Sequence, residues 1–300
     1  DNASEDGSVE FVQALAGVHC LRLASNRGPA GARNLGFRLA RHPRILFLDN
    51  DVVPTEAVLE RLQADLDSHP EALLVTPRVC YASEPSRIQY DSADCHLLGL
   101  MSLRHANLLS DDCPPTLART TSLVTACFLI DRQRWQQRVE NLNLFEERLI
   151  FNFEDHDFGV RASLLGFDLL CDSRATVLHG AGTAGQSWRP GGAVPRQRLF
   201  CLCRNRWWIV LRYFSAPTLM ILLPFLLAFE ALQLAGLVVR GHGRVWLDAL
   251  GSTLVQAPWL WRQRRLWQCL RRRPDRTILV PGPLPLTTTC MGELKLAGTR

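Results

Sequence analysis

The chain predicts an α/β fold with a largely parallel sheet, and three observations carry that expectation. Short apolar runs alternate with helix-periodic segments through the first 180 residues. Carboxylates cluster where those runs end. The helical segments open on residues that start helices. Three hundred residues allow one large domain with an appendage, and an apolar fraction of 47% is enough to build a core.

The elements follow in order. Asp1-Asn2-Ala3-Ser4-Glu5-Asp6-Gly7-Ser8 is turn chemistry that belongs after a strand, so a strand–helix–strand start is expected ahead of Asp1. Val18 to Leu23 reads as a short strand. The Gly28-Pro29-Ala30-Gly31 loop leads into a helix over Ala30 to Arg41. Ile45-Leu46-Phe47-Leu48 is a buried strand by its apolar run. Pro54 to Asp67 predicts a helix with Val58, Leu59, Leu62 and Leu66 on one face. Leu73 to Val79 is another strand. Residues 81–120 lack a period, are rich in Ser, Asp and Pro, and read as loops over a site. Ser122 to Asp131 returns as a strand. Glu154 to Gly166 is a helix whose acidic first turn suits its N-terminal dipole and whose Gly166 ends it. Phe167 to Cys171 and Ala175 to Leu178 are two further strands. No internal repeat is visible. In such folds ligands lie beyond the carboxyl ends of the strands.

Charge divides the chain. Residues 1–188 carry 17 basic and 25 acidic side chains; residues 189–276 carry 15 basic and 3 acidic. The two regions therefore face different partners. One lysine against 33 arginines reflects base composition more than function. The ten cysteines show no metal-ligand spacing, and Cys201 with Cys203 would share one face of a strand, so a reduced, cytosolic setting is expected.

Two acidic clusters stand about a hundred residues apart: Asp49-Asn50-Asp51 after the apolar strand, and Glu154-Asp155-His156-Asp157 at a helix start. Carboxylates gathered this way are unfavourable unless they bind a cation or move a proton. Together they point to a metal-dependent enzyme that handles a phosphorylated substrate and needs a base. A solvated turn and an acidic helix cap are the plain structural readings of the two clusters.

In family order, the motifs are Asp1-Asn2-Ala3-Ser4 with Asp6-Gly7-Ser8, Asn26-Arg27-Gly28-Pro29-Ala30-Gly31-Ala32-Arg33-Asn34-Leu35-Gly36, Leu48-Asp49-Asn50-Asp51, Phe145-Glu146-Glu147 with Glu154-Asp155-His156-Asp157-Phe158-Gly159-Val160-Arg161, and Val177-Leu178-His179. This series resembles the inverting family 2 glycosyltransferases, particularly the rhamnosyltransferase-like members that build bacterial surface polysaccharides. The resemblance covers roughly residues 1–215 and departs at its beginning, where the family's first strand has no counterpart. It implies a GT-A fold with a Rossmann-like mixed sheet. It also implies sugar transfer, hexosyl or rhamnosyl, from a UDP- or dTDP-sugar donor to a hydroxyl of a lipid-linked or polysaccharide acceptor.

The same resemblance assigns roles. Asp155 is the expected general base, since displacement at the anomeric carbon needs a hydroxyl deprotonated opposite the leaving group. Asp51 is the expected ligand of Mg2+ or Mn2+, a hard cation that offsets charge on the departing diphosphate, and His179 completes the metal site. Asp49 contacts the ribose or supports the metal through water. Asp1 contacts the base, and Arg33 and Asn34 line the same pocket. Glu154, Asp157 and Trp188 fall on the acceptor side. The Gly180–Gly185 run resembles a mobile donor loop, with Trp188 and Arg189 covering the diphosphate. Arg161 most simply pairs with Asp157 one turn away.

The rear divides into a basic, Trp-rich helical region at 201–273, behind a catalytic domain at 1–200, and a poorly ordered tail at 274–300. Pro217 to Val239 has a single charge, Glu230, and is long enough to cross a membrane. Val245 to Trp261 is a second apolar stretch, broken by Asp248 and Pro258. Arg204, Arg206 and Arg212 before the pair, and Arg262, Arg264, Arg265 and Arg271–Arg273 after it, suggest that both flanks face the cytosol. Trp207, Trp208, Trp246, Trp259, Trp261 and Trp267 sit at the same boundaries. A membrane hairpin, an in-plane amphipathic pair at the cytoplasmic face of the membrane, and a helix buried against the catalytic domain all remain open. No nucleic-acid motif accompanies the arginines. The rival functions are an inactive scaffold subunit of a polysaccharide assembly complex and a sugar-1-phosphate nucleotidyltransferase. The second would usually show a lysine near its glycine-rich loop, and Lys295 is the only lysine.

Overall fold

The computed structural model describes residues 1–140, 142–180 and 195–285. In chain order the elements are α1 (Ser8–Gln13), α2 (Gly28–Leu39), β1 (Arg44–Leu48), β2 (Val52–Pro54), α3 (Val58–Ser68), β3 (Ala72–Tyr81), β4 (Glu84–Tyr90), β5 (Ala93–His96), β6 (Met101–Leu103), β7 (Leu117–Thr120), β8 (Cys127–Asp131), α4 (Arg132–Arg138), α5 (Glu154–Leu164) and β9 (Asp168–His179). The rear follows as α6 (Arg196–Tyr213), α7 (Ala216–Val239), α8 (Gly243–Val255), α9 (Ala257–Leu270) and β10 (Leu279–Val280).

The main sheet runs β1-β8-β3-β9-β2, with β4 beside β3 and β7 beside β9. The expected α/β class and mixed sheet hold, but not its largely parallel character. Among these pairings β3·β9 is parallel and the others are antiparallel.

Several boundaries move for local reasons. Val18–Leu23 forms no strand; it runs beside the first residues, with Leu23 N donating to Asp1 O at 2.9 Å. The helix expected from Pro54 starts at Val58, because Thr55 N and Oγ1 both bond Thr176 O and hold the chain in the edge strand. Pro54 suits that edge, where no N–H is required. The two strands expected over 167–178 are one strand, β9, whose register shifts opposite Pro77 and Arg78. Residues 81–120 carry strands β4 to β7 rather than loops alone. Their charges are neutralised internally: Arg78 grips Asp91 with two bonds of 2.8 and 2.7 Å, and Arg104 grips Asp94. Cys201 and Cys203 lie on a helix, not a strand, and both are buried.

Each face of the sheet buries one layer. Val58, Leu62 and Leu66 of α3 pack with Val75, Leu129, Leu170 and Val177. On the other face an aromatic cluster links strands to α5: Phe47 stacks on Phe128 at 4.6 Å, and Phe145 meets Phe158 at 5.1 Å. Gly159 lets α5 close on the segment that links β7 to β8, since a Cβ there would stand 2.6 Å from Ser122 Cα. The rear is packed on this layer. Arg204, Arg206 and Arg212, expected at a membrane flank, are buried, as are Trp208, Trp259 and Trp267. Each of those arginines has internal partners, so they cannot serve as a basic rim.

Candidate active site

Asp49-Asn50-Asp51 is a tight turn between β1 and β2. Asp49 N bonds Ala126 O at 2.9 Å and Val52 N returns to Asp49 O at 3.2 Å. β2 pairs with the end of β9, Val52 opposite His179, which brings Asp51 to the histidine. His179 Nε2 lies 3.3 Å from Asp51 Oδ1, and Nδ1 lies 2.7 Å from Gln89 Oε1. The tautomer in which Nδ1 donates to Gln89 Oε1 would turn an Nε2 lone pair toward the carboxylate, the arrangement in which His179 can ligate a cation. Two facing acceptors call for a cation or a proton between them. Among the described residues no group of three His, Cys, Asp or Glu converges on a metal. A carboxylate and an imidazole nevertheless fit a cation that takes its remaining ligands from substrate phosphates and water.

Asp49 is engaged differently: Arg33 Nη2 donates to its Oδ1 at 2.6 Å. Arg33 Nη1 lies 3.7 Å from Glu154 Oε1, so one guanidinium, itself largely buried, bridges the two acidic clusters. An open cleft of about 1000 Å³ is lined by Asp1, Asn2, Asp6, Arg33, Asp49, Asp51, Phe151 and His179. Of the expected donor residues, Asp1, Arg33, Asp49 and Asp51 thus share one cavity. Asn34 does not. It is buried and clamps the chain before α5, bonding Phe145 N and O at 2.9 Å each and Glu147 at 3.1 Å. A second cavity of about 470 Å³ adjoins the first at Asn2, Asn26, Pro29 and Phe151.

α5 begins on a strained approach. Ile150, Asn152 and Phe153 all have positive φ, a conformation unfavourable for non-glycine residues and worst for a β-branched one. α6 holds it in place. Asn205 Nδ2, fully buried, donates to Leu149 O, Phe151 O and Asn152 O at 3.1, 2.9 and 2.7 Å. Gly28 leaves room for the same segment, because a Cβ there would stand 2.7 Å from Ile150 O.

Asp155 is half-buried at the helix start. Burial, then the charge of Glu154, pushes its carboxyl up to about 7, against lowering by the His156 amide at 2.7 Å and by Arg33. Burial also pushes Glu154 up, with Arg33 opposing it. Glu154, expected toward the acceptor, turns to Arg33. Asp157 is corrected outright: it has no exposure and cannot touch an acceptor. It bonds Arg161 Nε at 2.7 Å, Arg212 Nη2 at 2.6 Å and Tyr213 OH at 2.6 Å. Burial alone would raise it, but Arg212 and Arg161 outweigh that and hold it below the usual range. The expected Asp157–Arg161 pair is present. Buried His156 donates or accepts at Ser122 Oγ, 2.7 Å away, and burial lowers it to about 4, so it stays neutral. Trp188, Arg189 and all but the first residue of the Gly180–Gly185 run lie outside the described residues.

Sequence reasoning missed Asn205, Arg212 and Tyr90. Tyr90 ends β4, its buried hydroxyl has no partner, and burial followed by Asp49, Asp155 and Asp51 keeps it protonated. The alternation of Ile88 and Tyr90 as buried residues was the available signal, hidden among neighbouring charges.

Residues 1–127 match the family model Glycosyl transferase family 2, so the front of the chain is similar to that family. The fold is similar to that of S. aureus TarS residues 1–349 in complex with UDP-GlcNAc, with a TM-score of 0.51, 16% identity, and coverage of 90% of this chain and 76% of that one. It is also similar to GalNAc-T7 with UDP, GalNAc and Mn2+, with a TM-score of 0.51, 14% identity and coverage of 71% of this chain. The chain spans 40% of the length of GalNAc-T7. At these identities the likeness speaks to fold. No curated protein matches the chain in sequence.

Proposed function

We propose that the protein is an inverting glycosyltransferase. It moves a hexosyl or rhamnosyl group from a nucleotide-diphosphate donor to a hydroxyl of a lipid-linked or polysaccharide acceptor in surface-glycan synthesis. The observation that carries this reading is Arg33, which lines the cleft with Asp49 and Asp51 and also reaches Glu154 beside Asp155, so that one guanidinium joins two acidic clusters distant in sequence. TarS with UDP-GlcNAc and GalNAc-T7 with UDP and Mn2+ share the fold and support a nucleotide-sugar donor.

Asp155 takes the proton of the acceptor hydroxyl as its oxygen bonds to the anomeric carbon. The bond from that carbon to the diphosphate oxygen breaks, and the electron pair leaves with the nucleoside diphosphate. A base works best with a pKa near the operating pH. Mg2+ or Mn2+ held by Asp51 and His179 would supply charge neutralisation to the leaving diphosphate. Arg33 fixes Asp49 on the donor side and Glu154 beside the base, so the two sides keep one geometry.

The test is hydrolysis and transfer of UDP- and dTDP-sugars, with and without Mn2+. Turnover lost in Asp155→Asn and in Asp51→Ala supports the reading. Function in cells left untouched by both substitutions would support a scaffold subunit instead.

A further inference from the structure

α7 has the length and apolarity of a membrane-crossing helix: 24 residues with a mean hydropathy of 2.1 in its most apolar window, and about 36 Å of rise. Its attachment argues against crossing. Leu226, Phe229, Gln233 and Leu237 form one buried stripe at helical spacing. Glu230 beside that stripe pairs with Arg206 of α6 and accepts a bond from Trp246 Nε1 of α8 at 2.9 Å. Gln233 reaches Cys203 of α6 at 3.5 Å. α6 in turn belongs to the catalytic body through Arg212 and Tyr213 on Asp157. A crossing would either strip Glu230 of its partner inside hydrocarbon or carry the guanidiniums of α6 there, and both are strongly unfavourable.

The opposite side of α7 is bare. Met220, Leu227 and Val238 stand across the helix from the buried stripe, flanked by Ile221, Phe225 and Leu232; Met220 and Ile221 are 70% and 71% exposed. An apolar groove of about 380 Å³ runs along the Phe225–Leu232 flank against Leu97, Leu98 and Leu284. Arg240 follows the end of α7, Arg244 opens α8, and Arg262 and Arg265 lie on α9 next to exposed Trp261. None of these four exposed guanidiniums pairs with a carboxylate of the described residues, whereas Arg204, Arg206 and Arg212 are consumed inside. Apolar surface on α7 that ends at the unspent charges of Arg240 and Arg244, with further unspent charge on α9, complements an anionic lipid surface.

We propose that α7 lies in the plane of an anionic bilayer. Its bare face enters the acyl layer, Arg240 and Arg244 sit at headgroup level, and Arg262 and Arg265 add to the attraction for anionic lipid. This goes beyond the transferase reading and is independent of it, because its test reads lipid binding rather than turnover.

The full chain is sedimented with preformed phosphatidylcholine vesicles, with and without phosphatidylglycerol. Binding to the anionic vesicles is expected to be about tenfold or more tighter at low salt. Met220→Gln, Leu227→Gln and Val238→Gln together should weaken binding to both vesicle types by about tenfold while the thermal transition stays in place. Arg240→Gln, Arg244→Gln, Arg262→Gln and Arg265→Gln together should erase the anionic preference and leave UDP binding unchanged. Cysteines placed at Ala216→Cys and Arg240→Cys should both react with an impermeant maleimide added outside, each site read by mass spectrometry. Protection of one end would mean a crossing helix and overturn the proposal. Failure to bind vesicles would overturn it too; a dimer in solution that the same apolar variant dissolves would then assign the face to a second copy of this chain.

Discussion

The two acidic clusters joined by Arg33 are built in opposite ways. Asp49 and Asp51 sit on a four-residue turn whose shape comes from β1, β2 and the end of β9, close to the surface. Asp155 sits on a helix reached through three residues of positive φ, and the carbonyls of that approach are held by Asn205, more than 50 positions downstream. The donor side is local. The base side is a tertiary product, and the rear helices are its support as well as an appendage. Strain of this kind persists only where the surroundings over-determine it.

The comparison breaks first at the base. Asp155→Asn should lower turnover by roughly 10²–10⁴-fold, the usual contribution of a general base. Nucleotide binding and the melting temperature should hold, because the amide resembles the neutral acid. Kinetics beside calorimetry separates the two effects.

Next comes the anchor. Removing Arg212 as Arg212→Met leaves Asp157 buried with less compensation, at a cost of about 3–5 kcal/mol. Denaturant unfolding should show that loss. Asp51→Ala, on the open turn, should leave the transition within about 0.5 kcal/mol, as surface changes do.

A smaller effect separates position from stability. Asn205→Ala removes three bonds to the approach and should cost about 2 kcal/mol or more, by leaving buried carbonyls unpaired. Turnover should fall further than donor affinity, since the donor turn does not depend on Asn205. Equal losses in both would mean that the two clusters are not separately supported.

The pH profile sharpens the same contrast. Burial and Glu154 raise Asp155 to about 7, so kcat/KM should climb with pH through that region and level above it. Stability moves the other way. A carboxyl raised in the folded state favours folding at low pH, and that contribution is lost as pH rises from near 4 through 7. In Asp155→Asn both dependences should flatten. The smallest effect is expected at Tyr90→Phe. It removes an unpartnered buried hydroxyl, so stability should hold or rise slightly and turnover should stay unchanged.

The parts legible in the sequence are those with local causes. The apolar run before Asp49 located β1 and its turn, the glycine-bearing entry located α2, and the acidic first turn located α5. Illegible parts depend on distant partners. Asp91 and Asp94 looked like loop residues because their arginines neutralise them only in the folded sheet. Asn34 looked like a pocket residue, and its partners are backbone atoms 111 positions away. Arg212 looked like a membrane flank, and nothing near it in sequence names Asp157 as its partner. Periodicity reports burial, not which buried charge meets which.

The most direct test is calorimetry of UDP and dTDP with Mn2+ on the wild type, Asp51→Ala and Asp155→Asn. Mn2+-dependent binding should vanish in Asp51→Ala and persist in Asp155→Asn, whose turnover is lost. Binding that survives Asp51→Ala, or disappears with Asp155→Asn in a folded protein, would contradict a cleft divided between a cation-bearing donor side and a separately built base.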